Sequence, residues 1–235
     1  MGRVFEKRKH KMFARFDKMA KTFTKIGKEI AIAVKQGGPD PNANPRLRTA
    51  IQNGRGANMP KDRIENAIKR ASSKEAGSFD EMVYEGYGPH GVALVIETAT
   101  DNPTRTVANV RLYFSRNNGT LGKTGSLEFM FDRKGVFRIA KDNLVAEELE
   151  LELIDFGLHN LEVDEDEIVI YTSFTDFGKM QKALEEKNIQ VKKGTLERIP
   201  NTFVELSEQQ QDEVLQLVDK FEEDDDVQAV YHNLK

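Results

Sequence analysis

Apolar residues recur at helical spacing through the first third of the chain and at strand spacing in much of the rest. In residues 21–36, Phe23, Ile26, Ile30 and Val34 form one stripe. Lys21, Lys25, Lys28 and Lys35 fall on the opposite side at about 100° per residue. Upstream, Met12, Phe13, Phe16 and Met19 predict a further amphipathic helix. The run Lys7-Arg8-Lys9-His10-Lys11 stands at its front, and residues 5–11 read as an arm that orders on binding. Gly37 and Gly38 stop the second helix, and Pro39 and Pro41 confirm the break. Asn44-Pro45 reads as an N-cap followed by proline at the first helical position. That helix turns Leu47, Ala50 and Ile51 inward and ends at Gly54 and Gly56. Asn58-Met59-Pro60 opens another, with Ile64, Ala67, Ile68 and Ala71 as its apolar face.

Residues 72–78 form a Ser/Gly/Lys linker, and the pattern then changes. Val92–Ile96 reads as a buried strand. Asn102-Pro103 caps a helix with Val107, Val110 and Phe114 inward, closed by Asn117-Asn118-Gly119. Strands are predicted at Ser126–Phe131 and Val136–Ile139, and a helix over 144–156 stopped by Gly157. A strand at Ile168–Tyr171, a helix over 175–187 and a strand at Val191–Ile199 follow. Ser207 with Gln210 three residues on is a capping box for a helix running to Phe221, and Val227–Tyr231 is the last strand. Repeated strand–helix–strand segments predict an α+β multidomain protein. A helical domain of three to four helices precedes small ferredoxin-like sandwiches with helices on one face of each sheet.

Charge divides the chain in the same place. Residues 1–78 hold 19 Lys/Arg against 7 Asp/Glu, a formal +12, and residues 79–235 hold 16 against 32, a formal −16. A basic head on an acidic body points to a polyanion partner, DNA or RNA, bound through phosphate neutralisation. Arg46, Arg48, Arg55, Arg63 and Arg70 are candidates to grip phosphates through their planar forks, with Lys61 and Lys69 beside them. Lys7, Arg8, Lys9, His10, Lys11, Lys21, Lys25 and Lys28 add longer-range attraction. The two helices flanking Gly54–Pro60 read as a plain αα-hairpin, a common packing unit, with helix-turn-helix as the alternative, since nothing marks a base-reading helix.

The remaining motifs are less specific. Gly119–Ser126 resembles a phosphate loop, but the pattern needs glycine at 117, where Asn117 stands. It reads as a glycine-rich hairpin, with Lys123 and backbone N–H groups as a secondary phosphate contact. Tyr84–Gly91 reads as a turn into the next strand, with Tyr84 and Tyr87 as base-stacking candidates and Arg105 and Arg111 as further contacts. Four histidines, His10, His90, His159 and His232, show no metal spacing, and there is no cysteine. The acidic runs at 147–167 and 222–226 read as solvated faces rather than a magnesium site. No apolar run is long enough to span a membrane, and the N-terminus lacks an apolar signal region. The expectation is a cytoplasmic, non-enzymatic binding protein with no cofactor, no metal and no small-molecule substrate.

Several stretches in order resemble one family. They are Gly37-Gly38-Pro39-Asp40-Pro41 with Asn44 and Leu47, Asn58-Met59-Pro60-Lys61-Asp62 with Ile64, and Tyr84-Glu85-Gly86-Tyr87-Gly88-Pro89 with Gly91. Thr100-Asp101-Asn102 with Arg105-Thr106, and Asn118-Gly119 with Leu121-Gly122 and Gly125-Ser126, complete the set. Together they resemble the YebC/PmpR family of probable DNA-binding transcriptional regulators, whose relatives include mitochondrial translational activators. The resemblance implies a third domain inserted into the second. The boundaries become 1–78 for the helical domain, 79–131 plus 203–235 for the second, and 132–202 for the insert. It implies a transcriptional regulator and, as the alternative, an RNA- or ribosome-bound translation factor that relieves stalling at proline-rich stretches. The start departs from the family pattern: Phe5-Glu6-Lys7-Arg8 stands where relatives carry a tryptophan-bearing stretch, and this chain has no Trp.

Overall fold

The computed structural model describes residues 3–73, 77–141, 144–164 and 166–235, with side chains from residue 19 onward. The chain separates into two compact units, Met1–Ala76 and Gly77–Lys235.

The first unit is helical: α1 (Arg3–Gly37), α2 (Pro45–Gly56) and α3 (Lys61–Ala71). The two helices expected before Gly37 are one, because the chain between Met19 and Lys21 holds only the strong helix former Ala20. The expected arm at residues 5–11 is likewise part of this helix. The side chains of Lys7, Arg8, Lys9, His10, Lys11, Met12, Phe13 and Phe16 lie outside the described residues. The predicted stripe forms the core: Ile26, Ile30, Ala33 and Val34 of α1 meet Leu47 and Ala50 of α2 and Ile64 and Ala71 of α3. α2 and α3 pack mainly on α1 rather than on each other.

Asn44, 4% exposed, fixes the α1–α2 corner. Its Oδ1 accepts the Leu47 N–H at 3.0 Å, and its Nδ2 donates to the Ala33 carbonyl at 2.7 Å and the Gly38 carbonyl at 2.8 Å. Gly38 turns the chain at φ +83°, a conformation costly for any residue with a Cβ.

In the second unit, one sheet has the order β3-β1-β2-β8 and the other β5-β6-β4-β7, and every strand pair within them is antiparallel. The first is built from β1 (Asp80–Tyr87), β2 (Ala93–Thr100), β3 (Thr120–Leu121) and β8 (Val227–His232). Helices α4 (Pro103–Arg116) and α7 (Glu208–Glu223) supply Val110, Phe114, Val214, Leu217 and Phe221 to its core. Phe114 and Phe221 meet edge to face at 5.0 Å. The second sheet runs β4 (Phe131–Ala140), α5 (Ala146–Leu153), β5 (Leu158–Val163), β6 (Glu167–Ser173), α6 (Phe177–Glu186) and β7 (Val191–Pro200). This βαββαβ order is the ferredoxin-like connection. The first sheet differs because β1 leads into β2 through the short 3₁₀ turn Pro89–Gly91, with no α-helix between them. The capping box at α7 forms, with the Ser207 N–H donating to Gln210 Oε1 at 3.2 Å.

The structure corrects three element expectations. The stretch Tyr84–Gly91 is only half turn: Tyr84 to Tyr87 end strand β1, and Pro89–Gly91 alone make the turn, with His90 at φ +58°. Glutamates and glycine within β1 hid its alternation. Ser126–Phe131 is not a strand but a short turn of 3₁₀ helix at Glu128–Met130, and β4 begins at Phe131. The Leu127 N–H there is taken by the Glu85 carboxylate at 2.6 Å, so it is lost to a ladder. Strand β5 went unpredicted because it is an edge strand and mostly exposed, giving no apolar run.

His232, opposite Leu94 on β8, carries an imidazole that burial holds below its ordinary 6.5. The folded state therefore prefers it neutral, while the unfolded chain takes up the proton first as pH falls. Its contribution is fully present above the unfolded value and is lost as pH drops below about 6.5. Urea midpoints should fall between about pH 7.5 and about pH 5.5 in the wild type, and less steeply in His232→Gln. Equal slopes in the two proteins would refute this.

Candidate nucleic-acid interface

Among the described residues, the predicted cations fall in stripes along their own helices. Residues seven apart on a helix are offset by only about 20°, so Lys21 with Lys28, Arg48 with Arg55, and Arg63 with Arg70 make three separate stripes. Arg46 faces away from the Arg48–Arg55 stripe and donates to Gln36 Oε1 at 2.8 Å. Arg46, Arg55, Lys61, Arg63, Lys69 and Arg70 are exposed, whereas Lys21, Lys25, Lys28 and Arg48 are half-buried.

Among the described side chains, helix α3 groups several of these residues on one face. Its buried side is Ile64 and Ala71, and its outer side presents Arg63, Asn66, Lys69, Arg70 and, one turn on, Ser73. Asn66, Lys69, Arg70 and Ser73 line a shallow concavity. The Arg63 guanidinium sits over the Phe23 ring at 5.6 Å, which braces it in position. Lys61 pairs with Glu65 at 3.6 Å in full solvent, a contact of little energetic weight. Asn66 and Ser73 were not singled out from sequence, since one amide and one hydroxyl in a polar helix give no signal alone.

The secondary contacts fare differently. Tyr84 is 6% exposed and belongs to the core of the first sheet, so its faces are not offered to a base. Tyr87 is 43% exposed, and Arg111 and Lys123 are exposed. Arg105 is engaged internally: its Nη2 donates to Asp226 Oδ2 at 2.6 Å and to Asp101 Oδ1 at 2.9 Å. The loop around Lys123 already holds an anion, and it is the protein's own. Glu85, 3% exposed, accepts the Gly125 N–H at 2.9 Å and the Leu127 N–H at 2.6 Å, and its carbonyl takes the Gly122 N–H at 2.7 Å. A phosphate would find the Gly125 and Leu127 donors occupied by a carboxylate and the Gly122 donor by a backbone carbonyl. A Cβ on Gly86 would lie 2.5 Å from the Thr120 carbonyl oxygen, which explains why β1 and this loop approach so closely only with glycine.

Within the Gly77–Lys235 unit, two of the stretches that carried the family resemblance interlock and a third closes on the turn at Asp226. Tyr84–Gly88 clasps Asn118–Ser126 through Glu85, and Thr100–Thr106 closes on Asp226. Among the described residues no group of His, Asp or Glu is arranged to hold a metal ion, and no helix is long and apolar enough to cross a membrane.

Two family models match. The TACO1/YebC protein N-terminal domain covers residues 3–74, and the TACO1/YebC second and third domain covers residues 79–234. A probable transcriptional regulatory protein of Cytophaga hutchinsonii is 58% identical over 100% of this chain and 98% of its own length. Another, of Flavobacterium johnsoniae, is 56% identical over 100% of this chain and 99% of its own. A crystal structure of a conserved hypothetical protein from Aquifex aeolicus superposes with a TM-score of 0.82 at 36% identity, covering 92% of this chain and 90% of that one.

Proposed function

We propose, from the premise that this chain belongs to the TACO1/YebC family, that it is a regulator of gene expression that binds nucleic acid through its helical unit. The observation that carries the reading is the exposed side of α3, where Arg63, Asn66, Lys69, Arg70 and Ser73 stand together in a segment of formal charge +12. Arginine, asparagine and serine are the residue types that read base edges in a major groove while neighbouring cations neutralise phosphates. Duplex DNA is therefore the preferred ligand, in keeping with relatives named as probable transcriptional regulatory proteins. Structured RNA offers the same phosphates and is the competing ligand.

Binding to a duplex should weaken steeply with salt. Replacing Arg63 and Arg70 together by alanine should reduce the slope of log K against log salt by about 2 and lower affinity roughly tenfold. Asn66→Ala should instead reduce preference among duplex sequences with little change in salt slope. Competition by promoter-length duplex and by ribosomal RNA, read by gel shift at several salt concentrations, tests this. Loss of all preference for duplex over structured RNA would replace DNA by RNA as the ligand. Absence of salt-dependent binding to either would sink the reading.

A further inference from the structure

Helix α5 has the sequence Ala146-Glu-Glu-Leu-Glu-Leu-Glu-Leu153, an alternation of period two imposed on an element of period 3.6. The mismatch sorts its leucines onto opposite sides. Leu149 and Leu153, one turn apart, are 4% and 0% exposed in the core of the second sheet. Leu151 points the other way at 73% exposure, and Ile154, three residues on, is 55% exposed. Val145, just before the helix, is 49% exposed. Glu147, Glu148, Glu150 and Asp155 are exposed around these side chains, and none of the four pairs with a cation among the described residues. Only Glu152 is engaged, by Lys187 Nζ at 2.6 Å.

Single exposed leucines are ordinary, but two large apolar groups a turn apart inside a ring of unneutralised carboxylates are a directed surface. Its charge selects the occupant. A nucleic acid or an anionic lipid is repelled, and so is the same face of a second copy. A metal ion would have no use for the apolar centre. We infer that the outer face of α5 is a docking surface for a basic partner protein, one that covers Leu151 and Ile154 with an apolar anchor and meets the glutamates with Lys or Arg. The surface belongs to the Gly77–Lys235 unit, and the inference goes beyond the proposed nucleic-acid reading without resting on it.

The test uses the full chain, isotope-labelled, and a synthetic helical peptide with Leu at i, i+3, i+4 and i+7 and Lys elsewhere. Oligolysine of equal charge is the comparator. The expected result is a set of amide shifts centred on residues 145–156, with the amphipathic peptide binding more tightly than oligolysine. Leu151→Ser with Ile154→Ser should weaken the peptide about tenfold at unchanged circular dichroism, as truncating a central anchor does. Glu147→Lys with Glu150→Lys should weaken both peptides. Equal binding of the two peptides, or shifts spread over other acidic surfaces, would reduce the face to diffuse charge and overturn the inference. A change in the sedimentation of the free chain on Leu151→Ser with Ile154→Ser would also overturn it, by making the face a contact between copies.

Discussion

Asp226→Ala is expected to destabilise the Gly77–Lys235 unit by about 3 kcal/mol, because it leaves converging donors without their acceptor. Asp226 is 4% exposed in the turn between α7 and β8. One oxygen, Oδ2, receives Arg105 Nη2 at 2.6 Å and lies 2.9 Å from Thr106 Oγ1 and 3.2 Å from Thr100 Oγ1. Thr100 and Thr106 are 0% and 1% exposed, so solvent cannot substitute for the lost carboxylate at the hydroxyls. The two threonines could still bond each other at 2.7 Å, and Arg105 is half exposed and keeps Asp101, which tempers the loss. The backbone adds a further tie, since the Ala99 N–H donates to the Asp226 carbonyl at 2.8 Å. Asp226→Asn preserves the shape and one acceptor oxygen and should cost roughly half as much. Chemical denaturation followed by tryptophan-free probes, circular dichroism and tyrosine emission, would measure both. An alanine variant within about 0.5 kcal/mol of wild type would show that the knot is not energetically significant.

Asn44→Ala should cost a similar amount, roughly 3 kcal/mol, in the helical unit. Losing an N-cap acceptor alone accounts for about 1 kcal/mol. The rest comes from the carbonyls of Ala33 and Gly38, which lose the Nδ2 donor at the end of α1. Asn44→Ser separates the two parts. Serine restores the cap to Leu47 but cannot reach both carbonyls, so it should recover only the first portion. Asn44→Asp would place a carboxylate against two carbonyl oxygens and should be no better than alanine. Hydrogen exchange at the Leu47 amide, together with the loss of helical signal in urea, would follow this. If the unit carries the nucleic-acid site, as proposed, the alanine variant should lose binding in step with helicity rather than through any lost contact. Full binding with melted helices would contradict that proposal.

Much of this architecture was legible in the residues, and the reasons are local. Asn44-Pro45, Asn102-Pro103 and Ser207 with Gln210 announced three helix starts, because a cap is a contact between neighbours in sequence. The helical stripe of α1 and the apolar run of β2 declared their buried faces by period. The charge division set the first unit apart from the second by itself. Other features depended on residues far apart. Glu85 reads as one more acid on a strand, yet its carboxylate fills the loop at Gly125 and Leu127, some forty residues away. That contact takes two of the backbone N–H groups offered as a secondary phosphate contact and displaces the strand expected at Ser126. Tyr84 looked available for stacking until β2, α4 and α7 closed over it. Arg105 looked like a phosphate contact until the turn at Asp226 claimed it, 121 residues on. Caps, periods and net charge are properties of a chain segment and survive without a fold. Which polar group meets which partner, and which cation is left facing water, is decided only when distant segments pack and their desolvated groups must be satisfied.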